Sequence, residues 1–186
     1  MAQRIIFYLL FFSCASLSTY IFHLDDDYIF YTSIFPGLLF ILTTIICSLF
    51  NTRLALRPTL EFSGLAFLLY LGVFYLTLVS SYFAFAVGML TGGFGAMLYF
   101  ALYNDFIKTI NYRKKGVFIL GLLAFIINDF LLFTPIRNID AGFFSKDITG
   151  NFSATFFIWQ IVIGTALVNK LIAQKDKVNS VQIPST

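Results

Sequence analysis

FSGLAFLLYLGVFYLTLVSSYFAFAVGMLTGGFGAMLYFALYN, residues 62–104, runs for 43 residues without one charged side chain. As a single α-helix it would measure about 64 Å, twice the ~30 Å of hydrocarbon in a bilayer. The run must therefore fold back on itself. The polar pair Ser80-Ser81 is the best place for the break, giving spans at 62–79 and 82–103. Two apolar helices joined this tightly have no natural home in a water-facing globule, and the rest of the chain says the same.

Of 186 residues, 59% are hydrophobic and only 11% charged, with a mean hydropathy of +0.88. A soluble domain carries about 25% charged residues. There is too little polar surface here to coat a globule, so lipid is the solvent for most of it. The 25 Phe and 10 Tyr suit lipid-facing and interfacial positions.

Working outward from the central hairpin, charges and turn residues punctuate four more spans. The first covers 5–22 and stops before His23 and the triplet Asp25-Asp26-Asp27. The second covers 29–50, before Asn51-Thr52-Arg53; the fifth covers 117–134, stopped by Pro135; the sixth covers 153–171. The opening MAQRIIFYLLFFSCASLS has the outline of a signal peptide, yet Phe11 and Phe12 fit a lipobox badly, and we read it as a retained first span. The expected fold is thus all-α, one transmembrane domain over 1–186, a six-helix bundle with a polar tail at 174–186.

Orientation follows from the basic residues, which collect on the cytoplasmic side of a membrane. With the N-terminus inside, Arg4, Arg53, Arg57, Lys108, Arg113, Lys114, Lys115, Lys170, Lys175 and Lys177 all lie in the cytoplasm. Only Arg137 and Lys146 remain outside, beside Asp25, Asp26, Asp27, Asp140 and Asp147. Both termini are therefore expected in the cytoplasm. Compactness points to a bacterial-type inner membrane.

Three features bear on function. The strongest is Asn128-Asp129, because Asp129 is the one acid well inside an expected span. A carboxylate at mid-membrane costs about 2.5–3.5 kcal/mol, so such a group points to an ion, proton or substrate site, the alternative being structural pairing or an outer vestibule. Counting back from Thr134 puts it roughly 8 Å inside the outer boundary. Gln160 lies at about 10 Å on the same count. Ser16, Ser33, Pro36, Thr77 and Thr91 also fall in the outer half. We expect Asp129, Asn128, Gln160, Thr91 and Ser33 to line an outward-facing polar cavity. Trp159 reads as packing.

The second feature is the small-residue stripe Ala84, Gly88, Gly92 and Ala96, spaced by four in the fourth span. Such a stripe lets another helix backbone approach closely, within the bundle, in a homo-oligomer or against another membrane protein. The third is the cytoplasmic cluster Arg113, Lys114 and Lys115, which anchors topology and can meet anionic lipid head groups.

Other functions are argued against. A single histidine does not support bis-histidine haem or a His-rich metal site, and Cys14 and Cys47 sit in apolar runs as inert thiols. No HExxH, GxSxG or Walker A pattern is present, and no basic stripe suggests nucleic acid. No cofactor or metal is expected. The expectation is a small transporter or channel; the alternative is a non-catalytic subunit acting through helix contacts, and an intramembrane lipid-modifying enzyme comes third.

Overall fold

The computed structural model describes the backbone at residues 2–24, 29–83, 85–133 and 148–181, and side chains at 2–21, 34–77, 89–127 and 156–174. Everything regular in it is α-helical. Six helices follow in chain order: α1 (Ala2–Leu24), α2 (Ile29–Leu49), α3 (Leu56–Phe83), α4 (Phe85–Phe106), α5 (Lys114–Phe133) and α6 (Ile148–Val181).

The 43-residue run does fold back, but later than the serine pair suggested. Helix α3 continues through Ser80 and Ser81 to Phe83, and α4 starts at Phe85. Serine can return its hydroxyl to a carbonyl one turn back, so in an apolar setting a serine pair need not end a helix. The helix also starts early, at Leu56, where Arg57 and Glu61 form an i,i+4 ion pair of 2.8 Å. At the other end of the chain, α6 runs for 34 residues, about 51 Å, and carries helix into the expected polar tail as far as Val181. Residues 174–181 contain neither Gly nor Pro, so nothing local stops it.

Among the described residues, three segments are long and apolar enough to cross a membrane: Ala2–Ile21, Leu56–Thr77 and Phe156–Gln174; Ile34–Leu49 is a shorter apolar helix. Helices α2, α4 and α5 have 21, 22 and 20 residues, lengths near the ~20 that a bilayer requires. The interior is largely aromatic and aliphatic, yet it also takes in small and polar groups, and many large apolar side chains stay outside. On α1 the inward face includes Cys14, Ala15, Ser18 and Thr19, whereas Ile5, Leu9, Phe12 and Leu17 face out. Thr43, Thr44, Ser48 and Gln160 are likewise buried, while Leu42, Leu68, Phe94 and Leu123 are exposed. A surface rich in exposed Leu, Ile and Phe, over an interior that mixes aromatic rings with small and polar groups, is compatible with lipid outside.

Each helix packs on its sequence neighbours, and α6 returns to α1 to close the ring. Tyr8 Oη donates to Asn169 Oδ1 at 2.5 Å across that closure, and Gly164 of α6 admits the Phe11 ring. Helix α6 also reaches α2 and α4, so it ties both sides of the ring together. One end of the bundle is laced by polar contacts. Gln3 donates to Asn51 Oδ1 (3.2 Å), Lys108 to the Asn51 carbonyl (3.3 Å) and Gln174 to the Thr109 carbonyl (2.7 Å). The α4–α5 link is held by Asn104, whose Oδ1 accepts the Ile110 N–H at 2.9 Å. Arg4, Arg53, Lys108, Arg113 and Lys170 belong to this same end.

Candidate functional site

Gln160 of α6 is completely buried, and it is the largest such polar side chain after Tyr103 among the described residues. Its Nε2 donates to the Pro36 carbonyl at 3.2 Å, and its Oε1 has no hydrogen-bond partner among the described residues. Pro36 stands inside α2. A backbone carbonyl has two lone pairs, so it can serve its own helix and still accept a side chain. Gly37 follows, and its missing side chain matters here: a Cβ at Gly37 would collide with the Tyr70 ring of α3. The bare backbone at Pro36-Gly37 is thus where α2 receives both α6 and α3.

Around this point the packing is aromatic. The Phe40 ring centroid lies 5.5 Å from Phe11, 5.1 Å from Tyr99 and 5.5 Å from Trp159. Tyr70 meets Phe156 edge-on at 5.5 Å, and its hydroxyl is buried without a partner among the described residues. The space left between Gly37, Tyr70, Gly95, Tyr99, Phe156 and Trp159 is only about 10 Å³. That is room for one water at most. At this level the bundle is closed.

Trp159 does more than fill space. Its Nε1 donates to the Gly92 carbonyl of α4 at 3.1 Å. Gly92 faces α5 as well, for a Cβ at Gly121 would collide with the Gly92 carbonyl and lie 2.7 Å from Ala96 Cβ. Three helices therefore converge on Gly92. Of the small-residue stripe, Gly92 and Ala96 are the described members, and both are turned into the bundle against α5. Ala84 and the side-chain environment of Gly88 lie outside the described residues.

The structure does not bring all the expected cavity residues together. Thr91 lines an open groove of about 600 Å³ between α3 and α4, with Leu68, Leu76, Phe94 and Leu98, whereas Gln160 is bonded to α2. Thr77 is buried and returns its hydroxyl to the Val73 carbonyl at 2.7 Å. Asn128 and Asp129 belong to α5 and Ser33 to α2, but their side chains lie outside the described residues. So do Asp25, Asp26 and Asp27, and the loop at 134–147.

Two arrangements escaped the sequence reading. One is a hydroxyl ladder between α2 and α4: Thr44 Oγ1 to Tyr99 Oη at 2.6 Å and Ser48 Oγ to Tyr103 Oη at 2.8 Å, both buried. Its signal was two pairs at i,i+4, each on one helix face, with two buried phenols needing partners. The other is a cavity of about 580 Å³ at the basic end, where Arg113 and Lys170 approach α4 and α5. Tyr112 beside it has its phenol pushed above the ordinary range by burial, with the Asp105 carboxylate adding to the effect. Of the basic cluster, Arg113 lines this cavity; Lys114 and Lys115 are exposed in the first turn of α5.

No family model matches the chain, and no curated protein or solved structure is significantly similar to it.

Proposed function

We propose that the chain is an integral membrane protein of six spans that moves an ion or small solute. Both termini face the cytoplasm of a bacterial-type inner membrane in this reading. Support for the placement comes from the apolar outer surface, the length of all six helices and the gathering of basic residues at one end.

The observation that carries the transport reading is Gln160. An acceptor buried without a partner costs about 1–3 kcal/mol, and a bundle that keeps one in its middle has a use for it. A cation or a hydrogen-bond-donating solute reaching Gln160 Oε1 removes that cost. Asp129, with Asn128 and Ser33, would lie on the outer side of it by the depth count and act as the coupling and selecting groups. The closed centre then corresponds to an occluded form, in which passage requires α6 to move against α2 at the Gln160–Pro36 contact.

Reconstitution into liposomes with a pH- or sodium-sensitive dye tests this. Proton or sodium flux should exceed that of protein-free liposomes, fall to background in Asp129→Asn and drop clearly in Gln160→Leu. Unaltered flux in Asp129→Asn removes that carboxylate from the mechanism. Absence of any flux overturns the transport reading.

A second reading has its own support: a non-catalytic membrane subunit. The centre of the bundle is filled, and the α3–α4 groove presents Leu68, Leu76 and Phe94 to a neighbouring helix. Gly88→Leu should then cost a co-purifying partner or dimer while the bundle survives. Full retention of the partner would leave the stripe with internal packing alone.

A further inference from the structure

The basic-end cavity is separate from the Gln160 layer, and nothing in the transport reading uses it. It measures about 580 Å³ and opens to the surface between the α4–α5 link, the start of α5 and the inner part of α6. That is the size range of small-ligand sites. Its wall has two chemically distinct parts. At the rim are Arg113 and Lys170, both exposed, with Gln174. Below them the lining turns apolar, with Val117, Leu120 and Ala166 continuing along α5 and α6 toward the lipid-facing surface.

Two details narrow the guest. Gln174 uses its Nε2 on the Thr109 carbonyl, and its Oε1 is buried without a partner among the described residues. The rim therefore offers two cations for an anion, while the Gln174 amide ties α6 to the α4–α5 link. Gly116 keeps the mouth open: a Cβ there would meet nothing nearer than Arg113 Cβ, at 3.8 Å. Among the described residues no carboxylate lines the cavity; Asp105 acts on Tyr112 from outside the lining.

We propose that this cavity binds one anionic glycerophospholipid, for which phosphatidylglycerol serves as the probe. Its phosphate lies between Arg113 and Lys170, and an acyl chain follows Val117, Leu120 and Ala166. A soluble phosphate would use only the rim and leave the apolar floor uncovered. The membrane surface supplies the lipid at the level where the basic end of the bundle sits, and each cation there contributes to holding it.

Native mass spectrometry of the full chain in a neutral detergent provides the test, with dioleoyl phosphatidylglycerol and dioleoyl phosphatidylcholine added at equal concentration. The native protein should hold one phosphatidylglycerol in clear preference to phosphatidylcholine. Arg113→Gln and Lys170→Gln should each weaken that binding about five-fold, and the pair should abolish the preference. Lys114→Gln with Lys115→Gln, which removes as much charge outside the cavity, should leave it. Gly116→Leu fills open space, so it should fold normally and still lose the lipid. Equal retention of the two lipids, or a preference that survives the Arg113/Lys170 double substitution, overturns the proposal. If inorganic phosphate at millimolar concentration displaces phosphatidylglycerol and raises the Tm as much as the lipid does, the site belongs to a soluble anion instead. Every readout is binding or stability, so the outcome is independent of any flux.

Discussion

Helix α4 is held on two sides by opposite means. Toward α5 the contact is backbone on backbone, with Gly92 and Ala96 set against Gly121. Toward α2 it is a ladder of hydroxyls, Thr44 to Tyr99 and Ser48 to Tyr103. In the membrane reading proposed above, lipid tails are as apolar as leucine, so burying leucine would give such helices little reason to associate. Close van der Waals approach and interhelical hydrogen bonds are what remain, and α4 uses one on each side. The difference lies in how each contact can fail. The seam tolerates no added atom because the atom would meet backbone; the ladder loses one bond at a time, since Thr44 and Ser48 each keep a bond to a carbonyl of their own helix.

The largest effect is expected at the seam. Gly121→Ala puts a methyl group onto the Gly92 carbonyl, and neither backbone can step aside without shifting a helix. We expect a loss of about 1–3 kcal/mol, read from denaturant unfolding in mild detergent. The ladder should be softer. A double-mutant cycle of Thr44→Val and Tyr99→Phe should report a coupling of about 0.6 kcal/mol, reaching ~1.7 kcal/mol at most. A coupling larger than the Gly121→Ala loss would reverse the ranking drawn here. Trp159→Phe removes the bond to the Gly92 carbonyl and should cost about 0.5–1.5 kcal/mol. The smallest effect belongs to Gly72, on the exposed side of α3 with nothing within 4 Å of an added Cβ. There, Gly72→Ala should be neutral or stabilise by about 0.4–1 kcal/mol. A loss at Gly72 equal to that at Gly121 would show that helix propensity, and not the seam, sets the cost.

Helix number and order were legible from charge and hydropathy, because a span has to be uncharged for about 20 residues and its ends have to be marked. Boundaries were less so. The α3–α4 break falls beyond Ser80-Ser81 because a serine hydroxyl can be satisfied inside a helix. Helix α6 outruns its apolar segment because Gln174, Lys175 and Lys177 are good helix formers in water. At the candidate site, depth counting grouped Gln160 with Thr91, whereas Gln160 bonds to the Pro36 carbonyl of α2 and Thr91 lines the α3–α4 groove. Counting residues along a span gives depth and says nothing about azimuth around the bundle. The hydroxyl ladder and the basic-end cavity were hidden for a related reason: each joins residues more than 50 apart in the chain, and only the packing of the ring brings them together.

The depth count, the transport reading at Gln160 and the proposed lipid site at the basic end all rest on one orientation of six spans. Cysteine labelling tests it most directly, in a Cys14→Ala and Cys47→Ala background probed in intact cells with a membrane-impermeant maleimide. Asp26→Cys and Lys146→Cys should react at once from outside, whereas Lys115→Cys and Lys177→Cys should react only after permeabilisation. Labelling of Lys115→Cys in intact cells, or protection of Asp26→Cys, would contradict the orientation and the site assignments that depend on it.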